Sequence, residues 1–258
     1  MDPLQHLVDN VQVAKVTSAA LKAVDELNWN RSVRNNPELI PLSRRVSSYA
    51  SAALEGAAMP ADPRQDPEDS PMGQLSQAAL AITAEADFQL ATFQKTPLQT
   101  WARLHSFVEN SENRGRPRTT NEVVDPLHIG QPLDYKQIES RLTSLVDLLD
   151  ESKASAVLVA AIAHAEIATI APFNRGSQLI ARATTRIILQ SRGVDQLKLV
   201  MPEYGFYKIG RNAYAKALIS YQTGTLNGVA DWIELHSQAI YIGATSTDFL
   251  IALSTQAE

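Results

Sequence analysis

Residues 154–170 form an almost unbroken apolar run, interrupted only by Ser155, His164, Glu166 and Thr169. At helical spacing such a run is apolar on nearly every face. A helix of that kind is stable only in the middle of a bundle. The run ends at Pro172-Phe173, a short polar loop containing Gly176 follows, and a second helix opens near Ser177. That helix is two-faced, with Ile180, Ala183, Thr184 and Ile187 on one side. Gln178, Arg182 and Arg186 lie roughly opposite. A tight turn that delivers a ligand to the positive end of a helix is the architecture of an anion-binding loop. The plainer reading makes the two arginines a solvated face.

Alanine, leucine and glutamine are frequent and strand signals are scarce, so the expected fold class is mostly α. The periodicity predicts helices over 8–27, 43–55, 73–93, 97–109, 135–149, 153–170, 178–192, 211–221 and 227–242. Ser43 reads as an N-cap, and Gly56 and Gly193 stand where C′ glycines belong. Four prolines and four acids mark 57–72 as an exposed, disorder-prone loop. Segment 113–134 carries Gly115, Pro117, Pro126, Gly130 and Pro132 around Val123-Val124, and reads as an extended loop or short β-hairpin. The chain thus divides into N-terminal helices (1–56), the acidic loop (57–72), a core (73–245) and a C-terminal tail (246–258).

With 45% hydrophobic and 20% charged residues, the balance is that of an ordinary globular protein. The net charge of −5 argues against nucleic-acid binding. Arg114, Arg116 and Arg118 read as a solvated loop. Without cysteine there is no disulfide and no cysteine-bound zinc. The most apolar segment, Ala156 to Ala163, is broken at once by His164 and Glu166 and falls well short of the roughly 20 residues a membrane helix needs. The opening residues lack the pattern of a signal peptide, and a cytoplasmic location is expected.

The stretch Ala171-Pro172-Phe173-Asn174-Arg175-Gly176-Ser177-Gln178-Leu179-Ile180-Ala181-Arg182 resembles the motif H-P-F-x-[D/E]-G-N-G-R-x-x-R of the Fic family. Pro172, Phe173, Gly176 and Arg182 match it. Leu104-His105 followed by Gly115-Arg116-Pro117-Arg118 is similar to the family's helix and G-x-x-R step. Asn212-Ala213-Tyr214 through Trp232-Ile233 resembles its closing helices. Ser51-Ala52-Ala53-Leu54-Glu55-Gly56 fits its inhibitory pattern [S/T]-x-x-x-E-[G/N]. The pattern is also similar to actinobacterial Fic-like proteins with degenerate motifs. The resemblance implies a Fido-type helical bundle with a small flap, and transfer of AMP or another phosphate-containing group to protein hydroxyls.

The departures bear on that chemistry. The resemblance puts the general base at Ala171, and a methyl group accepts no proton. It puts the metal-holding acid at Arg175, which cannot ligate magnesium. Ser177-Gln178 replace an Asn-Gly step and Leu179 replaces the first motif arginine. His164, seven residues before Ala171 and about 10.5 Å away along the axis, is too far to substitute and reads as a buried structural histidine. His105 reads the same way. The resemblance further implies that Glu55 pairs with Arg182, with Ser51 hydrogen-bonding nearby, and so obstructs a nucleotide.

The expectation is a Fic-like protein unable to perform ordinary AMP transfer, retaining a cleft for a nucleotide or other anion. Asn174, Arg175, Gly176, Ser177, Arg182 and Arg186 are the candidate anion-binding residues, and Ser51, Glu55 and Gly56 the inhibitory ones. No metal site is expected; the implied ligand is ATP or another nucleotide without magnesium. Two readings stay open beside it. One is an active nucleotidyl transferase with altered chemistry using Arg175, Arg182 and Arg186. The other is an interaction module with a vestigial site, docking a target protein at 113–134. Homo-oligomerisation is left open.

Overall fold

The computed structural model describes residues 2–109 and 111–255, and among these every regular element is helical. In chain order they are α1 (Gln5–Val8), α2 (Val11–Trp29), α3 (Arg31–Arg34), α4 (Leu39–Leu54), α5 (Pro71–Ala86), α6 (Leu90–Lys95) and α7 (Pro97–His105). After a 3-10 turn at Tyr135–Gln137 come α8 (Ile138–Glu151), α9 (Ala156–Ile170), α10 (Ser177–Ser191), α11 (Pro202–Ile209), α12 (Arg211–Gln222), α13 (Leu226–Thr245) and α14 (Thr247–Thr255). No described helix is long and apolar enough to cross a membrane.

The apolar run becomes α9, started by Ser155, whose hydroxyl accepts from the Leu158 amide. It lies between α10, α13 and α8 and is buried almost throughout. Trp232 on α13 fixes one side by donating to the Ala161 carbonyl at 2.7 Å. Helix α10, expected to be two-faced, is buried on both faces: Arg182 is 0% and Arg186 1% exposed. The solvated-face reading therefore fails, because α4 and α11 close over the arginine side.

Several boundaries differ from expectation for local reasons. Helix α4 begins at Leu39, since Pro41 falls in the first turn, where its missing N–H is harmless. Ser43 is then interior rather than an N-cap, its hydroxyl donating to the Ile40 carbonyl. The expected 73–93 helix breaks at Asp87, a buried carboxylate paired with Arg44. The stretch after α10 yields the unforeseen α11, and the expected tail is helical as α14, burying Leu250 and Leu253. Positions 256–258 of that tail lie outside the described residues. Gly56 and Gly193 do follow their helices with positive φ (111° and 72°).

Two expected loops are more tightly held than their composition suggests. Arg45 donates to the carbonyls of Pro63 and Gln65, both at 2.5 Å, and pairs with Asp66. Tyr49 also donates to Gln65. Segment 57–70 is thus tied to α4 rather than loose. Segment 113–134 forms no β-hairpin; no strand occurs among the described residues. It is an extended flap. The Asp125 side chain organises its turn, accepting from the amides of Leu127 (3.1 Å) and Ile129 (2.7 Å).

His164 and His236 sit in the core beside Phe206, Tyr214 and Trp232. His164 bonds Thr185 Oγ1 at 2.9 Å and Tyr214 Oη at 2.7 Å, and His236 bonds Thr185 at 3.1 Å. Burial lowers both pKa values, His236 to about 3 and His164 well below its ordinary range. Burial also lowers His105 to about 4. Below pH ~6.5 the unfolded chain binds protons that these three rings refuse, so stability falls with pH. Each ring contributes up to about 1.4 kcal/mol per pH unit. Asp195, raised by burial to about 6, opposes the trend below that pH. We expect the melting temperature to drop between pH 7 and 5, more steeply as the unfolded rings fill with protons below 6.5, and His236→Gln to flatten the slope. A melting temperature independent of pH across this range would contradict neutral core histidines.

Candidate functional site

The α9–α10 connection is built around a left-handed residue. Ala171 caps α9 with φ 45° and ψ 66°, a conformation costing an L-residue roughly 1 kcal/mol. Arg118 holds the chain there. Its Nε donates to the Ala171 carbonyl at 2.8 Å, and its Nη2 to the carbonyls of Ile170 (3.2 Å) and Leu133. Its Nη1 reaches the Thr120 carbonyl at 2.6 Å, and its own amide donates to Pro172 O at 2.8 Å. One guanidinium thus satisfies carbonyls left open at the end of α9 and fastens the flap to the loop. Arg118 is buried, not part of a solvated basic loop.

Within the loop, Phe173 stacks on His105 with ring centroids 4.1 Å apart. His105 Nδ1 accepts from the Gly115 amide at 3.0 Å, fixing the start of the flap. Ser177 Oγ is spent on Phe173, accepting from its amide at 3.2 Å and approaching its carbonyl at 3.3 Å. Gln178 donates to the Ala168 carbonyl at 3.2 Å. Gly176 is required twice over. Its φ is 77°, and a Cβ there would lie 2.7 Å from Val108 Cγ1. The Asn174 carbonyl accepts from the Val124 amide at 2.7 Å, which lays the flap across the loop.

No side chain caps the N-terminus of α10. Glu55, from the end of α4, lines the same cavity as Gly176, Ser177 and Gln178, where the helix dipole favours an anion. Arg182, one turn into α10, reaches across. Its Nη2 donates to Glu55 at 2.5 Å and to the Ser51 carbonyl at 3.1 Å; its Nε donates to Ser51 Oγ at 2.7 Å. Burial raises the Glu55 pKa, with Arg182 and then Arg211 opposing it. Burial works against charge on Arg182, but Tyr214 and Glu55 hold it protonated. The cavity between Glu55, the flap and Ala171 is only about 20 Å³, room for about one water.

The remaining candidates separate. Arg175 is exposed, 3.8 Å from Glu109, on an open groove of about 690 Å³ shared with Glu55, Gly176 and Val124. Arg186 does not line the cleft; it is sealed behind α10 with Ser47 (2.8 Å) and Glu203 (3.2 Å). His164 is committed to the core. Two groups escaped sequence reasoning. Arg211 donates to the carbonyl of Pro126, a residue that lines both the cavity and the groove. Glu166, Arg141 and Tyr221 form a bonded triad in an open groove that adjoins the cavity through Pro132, Thr169 and Gln222. The one available signal for Arg211 was a cation in the first turn of a helix, where it is disfavoured.

Among the described residues no group of three or more histidine and carboxylate side chains could hold a metal. The motif residues do not fit a magnesium ion, because a guanidinium stands where the acid would be.

Residues 95–189 match the Fic/DOC family. No curated protein sequence matches the chain. A Fic family protein from Desulfovibrio desulfuricans G20 is similar in structure with a TM-score of 0.69 at 14% identity, covering 96% of this chain and 76% of its own. A Fic domain containing signaling protein from Bacteroides thetaiotaomicron VPI-5482 gives 0.68 at 16% identity, over 96% and 99% of the two chains. Fic-1 from C. elegans gives 0.63 at 19%, over 92% and 73%. At these identities the likeness establishes the fold alone.

Arg118→Ala would strand several carbonyls at once, and a buried group left without its charged donor costs about 1–3 kcal/mol. We expect a loss of about 3 kcal/mol in urea unfolding. Arg118→Lys should recover little of it, since an ammonium cannot reproduce the planar fork. Full recovery by lysine would show that charge alone holds the loop.

Proposed function

We propose that this chain, whose residues 95–189 belong to the Fic/DOC family, is a Fic-fold protein without the family's general base, keeping a nucleotide- or anion-binding cleft closed by Glu55. The supporting observation is the content of the cleft. Ala171 and Glu55 line one cavity, and the fully buried Arg182 donates to both Ser51 and Glu55. A target hydroxyl is a weak nucleophile until a positioned base takes its proton, and the methyl of Ala171 takes none. Arg182 is a charge-assisted donor suited to phosphate. Glu55 holds it where a phosphate would otherwise sit.

Binding then proceeds by exchange: an anion displaces the Glu55 carboxylate from Arg182 and the α10 N-terminus. Magnesium is not needed to bring phosphate in. Arg175, on the adjoining groove, adds positive charge at the side where the family's metal-holding acid would stand. An altered-chemistry transferase that uses Arg186 has no support in the geometry, since Glu203 and Ser47 already occupy that side chain.

Glu55→Gly strips Arg182 of its counter-ion, and breaking such a buried pair costs about 3–5 kcal/mol. The variant should therefore melt lower than the wild type and be restored by ligand. Calorimetry with adenine, guanine, cytosine and uracil nucleotides should show binding at least about tenfold tighter in Glu55→Gly, a gain of ~1.4 kcal/mol. Magnesium should not alter it, and Arg182→Ala should abolish it. Absence of heat from any nucleotide in both proteins would overturn the reading. So would covalent transfer of AMP to protein by the wild type.

A further inference from the structure

The cleft has two covers, and arginines hold both. Glu55 is held by Arg182. The flap is held at its far end by Arg118 through Leu133, and across its middle by Arg211 through the carbonyl of Pro126. Arg211 reaches the first cover too. A Cβ on Gly56 would lie 3.9 Å from its Nη1, and its charge acts on the Glu55 carboxyl. It therefore bonds the flap and stands close to the Glu55 turn.

Its placement is hard to explain by stability alone. Arg211 is exposed and opens α12, the helix end where a cation is disfavoured. A single backbone carbonyl is a modest acceptor for a group with five donors in a planar fork. Glu55 in its present position is bonded to Arg182, while the charge of Arg211 acts on it from farther off. A ligand that displaces Glu55 leaves both cations needing an anion.

We infer that Arg211 is a second phosphate clamp of this cleft: as Glu55 and the flap yield, Arg182 and Arg211 exchange their protein acceptors for neighbouring phosphates of one polyphosphate ligand. The inference rests on the anion-binding reading above and narrows it to a ligand with at least two linked phosphates. A monophosphate can satisfy Arg182 alone. It also assigns Arg211 a double role, since its bond to Pro126 keeps the flap down only while the cleft is empty of phosphate.

The test measures binding of inorganic triphosphate, ATP, ADP and AMP to Glu55→Gly, alone and combined with Arg211→Gln or Arg211→Lys. Glutamine keeps an amide donor for the Pro126 carbonyl and loses the charge. Lysine keeps the charge. The expected result is a loss of about tenfold or more in triphosphate, ATP and ADP affinity with Arg211→Gln, and less than about threefold for AMP. Arg211→Lys should recover part of it, and the ATP loss should shrink at high salt. An equal loss for all four ligands would make Arg211 a structural pin, and unchanged or tighter binding would make it only a flap latch; either overturns the inference. If Glu55→Gly binds triphosphate but no nucleotide, the nucleotide reading fails while the comparison of Arg211 variants still decides this one. If it binds neither, both fail. Melting curves for each variant separate lost binding from lost fold.

Discussion

Two guanidinium groups on one buried helix set the arrangement of the rest. Arg182 and Arg186 stand one turn apart on α10, each essentially without solvent contact. Moving a charge out of water costs several kcal/mol unless partners replace the lost hydration. The partners come from distant parts of the chain. Ser47, Ser51 and Glu55 lie at intervals of four on α4 and so face α10 as one row. Glu203 comes from α11. The position of α4, and with it the 57–70 loop anchored by Arg45, follows from the need to neutralise α10. An N-terminal helix without this row of acceptors would leave Arg182 without its counter-ion and Arg186 with Glu203 alone.

The second constraint is the end of α9. A helix apolar on every face must be surrounded, so its last carbonyls emerge inside the protein, where water cannot satisfy them. Arg118 meets that demand from the flap, and His105 and Phe173 pack beneath it. The flap is consequently not an accessory to the loop. Its buried Arg118 is the cap of the central helix, and its exposed residues, such as Val124, are carried over the cleft as a result.

How much of this was legible in the sequence depended on range. The helical class, the central place of α9 and the Gly176 turn rest on local periodicity and local backbone needs. The proximity of Glu55 and Arg182 was reachable only through a resemblance, since no local rule pairs residues 127 positions apart. Arg186 was misread for the same reason. Its acid, Glu203, sits in Pro-Glu-Tyr-Gly, a sequence that looks like a turn, so neither α11 nor the pairing was visible. The flap misled in the opposite direction. Val123-Val124 suggests a strand, but Pro117, Pro126 and Pro132 remove donors a ladder would need, and Arg118 takes carbonyls such a ladder would use. Arg118 itself looked like one of three solvated arginines, because side-chain demand from a buried helix end has no signature in neighbouring residues.

Ala171 shows that the shape of this loop does not depend on the side chain at its turn. The left-handed turn is an unfavourable place for alanine, and glycine would adopt it with less strain. It is nevertheless maintained, because Arg118, the Ile167 carbonyl that accepts the Ala171 amide, and the Ser177 staple over-determine the backbone there. The residue at this position therefore needs no function of its own for the loop to keep its shape. What the shape presents is the open N-terminus of α10, with Arg182 one turn behind it and Glu55 in front. That electrostatic arrangement does not depend on a proton acceptor at position 171. The Glu55 carboxylate, bonded to Arg182 and lining the cavity at the uncapped start of α10, is the protein's own occupant for that concentration of positive charge.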